Sequence, residues 1–159
     1  MRTLTIIAAL VTSTALVAAP ASAAPAGDAT SFVTKIIDQF NGGDAKAFVN
    51  AHADNAVIVD EFGQHVWTGP GSAQHWLDDF TKFSASEGQT GGRLSYGKPL
   101  QATSDGTTAY IVLPTTYSYI QKGTKMAEPG SMTMVAKRDG TNWKIVSWAY
   151  GGGTAVPAK

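Results

Sequence analysis

The chain has no cysteine, which excludes disulfides, thiolate nucleophiles, zinc–thiolate sites and a lipidated cysteine anchor. Charge is scarce as well: 12 Lys+Arg stand against 12 Asp+Glu in 159 residues, and only 15% of positions are charged. Proteins that act by neutralising phosphates carry a basic excess gathered on one face, whereas the lysines here stand singly, so nucleic acid is not an expected partner. The three histidines include no H-x-x-x-H or H-E-x-x-H spacing, and neither a metal site nor a cofactor is expected. The one apolar run, Leu4 to Ala19, falls short of the ~20 residues that span a bilayer. What remains is a neutral chain long enough for one ordinary domain.

The apolar run has its own meaning. Met1-Arg2 supplies a positive start, and Pro20-Ala21-Ser22-Ala23 ends the run in small residues, with Ala21-x-Ala23 as a cleavage site. This is the three-part order of a secretory signal peptide over residues 1–23. The mature protein is therefore expected to be exported, periplasmic or extracellular, with no membrane attachment after cleavage. Loss of Arg2 leaves 11 basic against 12 acidic residues.

Residues 24–30 read as a flexible leader. Phe32, Val33, Ile36, Ile37 and Phe40 then form an amphipathic helical stripe that Asn41-Gly42-Gly43 stops. Asp44 caps a second, shorter helix to about Ala51. Val57-Ile58-Val59 is a β-branched strand, turned by Phe62-Gly63-Gln64 into a short partner, His65-Val66-Trp67. Gly69-Pro70-Gly71-Ser72 opens a third helix with Ala73, Trp76, Leu77, Phe80 and Phe83 on one face. From Arg93 the pattern changes to period two. Strands are expected over Arg93–Thr103, Thr108–Gln121, Ser131–Arg138 and Trp143–Ala149, joined by short Gly-containing turns. Residues 153–159 offer no reason for order.

Helix, helix, hairpin, helix and four strands resemble, in that order, the nuclear transport factor 2-like superfamily, also called SnoaL-like or ketosteroid-isomerase-like. The resemblance runs over residues 31–152. Its cues are Asn41-Gly42-Gly43-Asp44, Thr68-Gly69-Pro70-Gly71 and Gly140-Thr141-Asn142-Trp143-Lys144-Ile145. It implies an α+β fold of order α-α-β-β-α-β-β-β-β, a cone-shaped curved antiparallel sheet with three helices on its concave side. It also implies a homodimer through the outer sheet face, for which Tyr117 and Tyr119 are the contact candidates. The superfamily contains isomerases, dehydratases, cyclases, carriers and assembly domains, so the fold does not choose a chemistry. Matched to the ketosteroid isomerases, the base aspartate falls on Asp60. The two oxyanion donors fall on Ile36 and Met134, which cannot donate a hydrogen bond.

The residues themselves agree with part of this. Asp60 shares a strand face with Ile58; a desolvated carboxyl there would hold its proton to higher pH and suit proton transfer near neutrality. A carboxylate capping the hairpin end is the plainer alternative. Glu61 alternates to the opposite, solvated face. His65, across the hairpin, is placed to pair with Asp60, or is a surface histidine. His52 closes the second helix, where a cation suits the dipole, and His75 lies one turn before Asp79 as a surface pair. Ile36, Ile58, Trp76, Met134, Trp148 and Tyr150 are the wall candidates of a pocket. Core filling would account for them too, Trp76 above all. Rings with one polar tip beside thioethers suit a small apolar or aromatic molecule. Two functions stay open: cofactor-free acid/base chemistry by Asp60 and His65, or a carrier or dimerising assembly domain without catalysis. The N-terminal reading is directly testable. The intact mass of exported protein is expected to match a chain beginning at Ala24, within two residues, and a product retaining Met1 would refute it.

Overall fold

The computed structural model describes residues 24–158; the expected signal peptide lies outside them. The elements are β1 (Ala24–Pro25), α1 (Gly27–Asn41), α2 (Ala45–Ala51), β2 (His52–Val59), β3 (Val66–Trp67) and α3 (Ser72–Ser86). They continue with β4 (Gln89–Tyr96), β5 (Gln101–Ser104), β6 (Thr108–Gln121), β7 (Thr124–Asp139), β8 (Asn142–Gly152) and β9 (Val156–Pro157). No helix among the described residues is long and apolar enough to cross a membrane.

The α+β class with three helices holds, but the cone-shaped, purely antiparallel sheet does not. The sheet is open and mixed: its path runs β1-β5-β6-β7-β8-β2-β3, and β2 pairs parallel with β8 while the other pairings are antiparallel. Its two ends, β1 and β3, are each two residues long and do not pair with one another. The expectation went astray because period-two patterning shows strands and short turns, not the pairing of segments 90 residues apart. The β2–β8 ladder, with Ile58 opposite Trp148, is such a long-range match.

Other boundaries moved for local reasons. The segment expected as one strand from Arg93 to Thr103 is two, β4 and β5, separated by residues 97–100 around Pro99, which lacks a ladder donor. In contrast β7 runs straight through Pro129-Gly130, where a strand start at Ser131 was expected. Pro129 faces Thr116 of β6, and its carbonyl accepts from Gly153 N at 2.7 Å. The leader is partly structured: β1 pairs with β5, and α1 begins at Gly27. In the tail, Val156 and Pro157 pair with Ala127 and Met126.

The core sits between the helices and the sheet face carrying Ala109, Ile111, Leu113, Met132, Met134, Ala136, Ile145 and Trp148. Alternation along β8 survives a bulge at Val146, which lets Ile145 and Trp148, three apart, face the same side. Helix ends follow the sequence. Gly43, at φ +87°, ends α1 in a left-handed conformation, and the Asp44 side chain accepts from Ala47 N at 2.9 Å to start α2. Asn41 ties the end of α1 to the sheet: its side chain donates to Leu94 O at 2.8 Å and accepts from Leu94 N at 2.9 Å. Those bonds complete the backbone groups of β4 where no strand covers them. Asn41→Ala is expected to cost about 1–3 kcal/mol in urea unfolding by orphaning both. Asn41→Asp, which keeps the acceptor alone, should recover part of the loss.

Candidate functional site

Between the helices and the sheet lies a cavity of 610 Å³. Its walls come from every layer: Ile36, Ile37 and Phe40 from α1, Phe48 from α2, Trp76, Phe80 and Phe83 from α3, and Met132, Met134, Trp148 and Tyr150 from the sheet. Packing among the rings is close. Trp76 stacks on Phe80 with centroids 5.1 Å apart and meets Trp148 edge-on at 5.1 Å. Phe62, from the turn after β2, stacks on Phe83 at 5.0 Å.

Asp60 follows the last residue of β2 and lines this cavity. Its carboxylate accepts from Trp76 Nε1 at 3.0 Å and from Glu61 N at 2.8 Å. Burial raises its pKa to about 6 against these two bonds, which oppose the rise, while the nearby Glu61 charge adds to it. The carboxyl thus changes charge just below neutrality, the range in which a base both accepts and returns protons.

The sequence reading missed two acids. Glu128, on β7, is 8% exposed. It accepts from Tyr150 Oη at 2.9 Å and lies within hydrogen-bonding reach of the Glu61 carboxyl. Glu61 in turn accepts from Gly152 N at 3.0 Å. Both carboxyls crowd Gly152, leaving no room there for a Cβ. Burial first, and the facing Glu61 second, raise Glu128 to about 7, so the pair holds a proton near neutrality. Burial and donation to Glu128 push the Tyr150 phenol up as well, and burial carries Tyr117 to about 12, so both stay protonated donors. Glu61 is exposed, as alternation leads one to expect, yet it lines the cavity rather than the opposite face. The strand ends at Val59, and beyond it the turn re-aims the side chains. Glu128 was legible in principle, since it continues the Met134, Met132 alternation backwards, but Pro129-Gly130 concealed it.

The other expected residues divide. Ile36, Trp76, Met134, Trp148 and Tyr150 all line the cavity. Ile58, fully buried, stands in the core beside Trp148 and outside the lining. His65 is exposed and also outside it: its Nδ1 meets the Asp60 backbone carbonyl at 3.2 Å, not the carboxylate. The hairpin opposition itself holds, since Asp60 N donates to His65 O at 3.0 Å, but the ring reaches only backbone. Tyr117 and Tyr119, offered as outer-face contacts for a dimer, line the cavity instead. Asp79 takes Trp67 Nε1 and Lys82 as partners rather than His75. His52 is structural but not cationic. Its Nδ1–H donates to Phe48 O at 2.8 Å and its Nε2 accepts from Trp148 Nε1 at 2.9 Å. Burial pushes its pKa down to about 4.

The observed fold is an α+β domain with helices on one sheet face and an acid-bearing aromatic cavity between them. The chain belongs to the SnoaL-like domain family, whose profile matches residues 30–150. Solved structures agree in fold. Hexachlorocyclohexane dehydrochlorinase LinA-type3 from Novosphingobium barchaimii LL02 superposes with TM-score 0.68 at 9% identity, over 83% of this chain and 88% of that one. A nuclear transport factor 2-like superfamily protein from Salmonella enterica serovar Typhimurium gives 0.64 at 14%, over 84% and 91%. The CaMKII hub of S. rosetta gives 0.62 at 16%, over 83% and 99%. No curated protein matches the sequence.

The acid pair gives a signed expectation. As pH rises from the ordinary glutamate value of 4.5 to about 7, the unfolded chain gives up a proton that native Glu128 retains, so the native state loses stability across that window. Glu128→Gln keeps the acceptor for Tyr150 and supplies a donor toward Glu61. The variant is expected to melt a few degrees higher than the parent above pH 7, with the difference closing below 4.5. Equal melting temperatures at all pH values would refute the buried-proton account.

Proposed function

We propose that this SnoaL-like domain binds a small molecule with an apolar or aromatic body and performs cofactor-free proton transfer on it, with Asp60 as the base. The observation that carries the reading is the Asp60 carboxyl itself. It is held by Trp76, raised by burial to about 6, and lines a 610 Å³ cavity whose walls are mostly aromatic and aliphatic side chains. A substrate C–H set against that carboxylate would lose its proton to a group whose affinity matches the working pH. Tyr117, which lines the cavity with its phenol protonated, supplies a donor that Ile36 and Met134 cannot, and a donor near the developing negative charge is what such a transition state requires. The dehydrochlorinase relative acts, by its name, on hexachlorocyclohexane, an apolar molecule; that similarity supports the size and polarity of the ligand, not its identity. His65 has no part in this mechanism. The N-terminal segment supports action outside the cytoplasm.

A carrier without catalysis is the second reading. It is favoured by the two positions, Ile36 and Met134, where the resemblance to the isomerases predicts donors and none stands. The experiment begins with native mass spectrometry of the purified protein to identify what the cavity retains. Proton exchange from that compound into deuterated solvent is then followed by NMR. Asp60→Asn is expected to slow exchange by a factor on the order of 10² or more, the usual worth of a positioned base, while affinity changes little. The parent's rate should rise with pH through about 6, as the carboxylate form becomes available. Exchange that is absent in the parent, or unaltered in Asp60→Asn, would leave the carrier reading in its place.

A further inference from the structure

The charges in the cavity do not balance, and this specifies a ligand more closely than its apolar walls do. Four acids line it (Asp60, Glu61, Glu87 and Glu128), against Arg93 alone. Among the described residues the salt bridges are Lys82–Asp79 and Arg138–Asp28, neither of which touches the cavity. Glu128, although more than nine-tenths buried, therefore has no cationic partner; it faces a second carboxyl, Glu61, and the Tyr150 hydroxyl. The Gln89 side-chain oxygen, buried in the same lining, accepts no hydrogen bond. A buried acceptor without a donor is costly, and two facing carboxyls without a cation relieve their repulsion by holding a proton between them, a proton that a cationic donor would replace.

What would satisfy these groups is a positive, hydrogen-donating ligand, and the geometry says which kind. No group of three acids or imidazoles among the described residues is arranged to hold a metal ion. The lining is instead rich in ring faces, among them Phe62, Trp76, Phe80, Tyr117 and Trp148, whose quadrupoles attract an organic cation. We infer that the cavity takes an organic ammonium ion, an apolar or aromatic body carrying a protonated primary amine that Glu128 and Glu61 receive. This rests on the reading that the cavity is a ligand site and goes beyond it by fixing the ligand's charge. An ammonium fits better than a quaternary centre because the open acceptors require N–H donors. A carboxylate or phosphate ligand would meet like charge across a short, poorly screened distance.

Three probes of one shape separate the possibilities: 2-phenylethylammonium, 2-phenylethanol and 3-phenylpropanoate, titrated calorimetrically into the intact protein with tryptophan fluorescence followed in parallel. The ammonium is expected to bind on the order of ten- to a hundredfold more tightly than the alcohol, the range of a charge-assisted hydrogen bond, and the carboxylate most weakly. Glu128→Gln should bring the ratio of ammonium to alcohol affinity down toward one. If the variant fails to fold, the parent's ranking of the three probes decides alone. Equal binding of ammonium and alcohol, or tightest binding of the carboxylate, overturns the charge inference and leaves the cavity as a site for neutral ligands. Binding of none of the three overturns both.

Discussion

One uncharged imidazole holds the wall of the cavity. His52 gives its Nδ1 proton to the Phe48 carbonyl and takes the Trp148 indole proton on Nε2, so its tautomer is fixed by two partners of opposite kind. Trp148 is thereby set edge-on to Trp76, and Trp76 donates to Asp60. The position of the candidate base thus depends, through two indoles, on a histidine at the junction of α2 and β2. Protonating that histidine would present a donor to the Trp148 donor at Nε2, and burial independently disfavours the charged ring. The parallel pairing of β2 with β8 sets His52 opposite Ile145 and Ile58 opposite Trp148, so the end of α2, the Trp148 wall and the start of the Asp60 turn lie on neighbouring strands.

The three helices, with their stops and caps, and the four long period-two segments were legible in the sequence because each is decided by residues within one or two turns of itself. Gly43 and Asp44 need only their immediate neighbours to end one helix and start the next. The open, mixed sheet was not legible, since β2–β8 pairing is set by packing across most of the chain, and local pattern carries no register for it. The site divides along the same line. Asp60 and the wall residues Trp148, Tyr150 and Met134 follow from alternation on strands. Glu61 and Glu128 depend on where strands end and whether a proline interrupts one. Pro129 does not: it stays in register opposite Thr116, and its carbonyl is taken by Gly153 N. His65 shows the converse: hairpin opposition does bring it to Asp60, but the contacts run to backbone, with Asp60 N donating to His65 O at 3.0 Å and the ring meeting the Asp60 carbonyl, and none reaches the carboxylate.

The two kinds of buried titratable group oppose one another in their effect on stability. His52 stays neutral in the native state down to about 4 against its ordinary 6.5, so the native state loses stability as pH falls between those values. Asp60 and Glu128 retain protons to about 6 and 7 against ordinary values of 3.8 and 4.5, so stability is lost as pH rises through those windows. Over most of the mildly acidic range the slopes have opposite sign and offset each other in part. The acids' side of this balance is a cost that packing alone never requires, since a leucine or methionine at either position would fill the same wall without it. Glu128, buried, and Asp60, half-buried, are each hydrogen-bonded within the chain. Those bonds still leave the cost of setting carboxyls in a largely apolar wall unrecovered as they ionise, and that residual cost is what distinguishes this wall from a packed core.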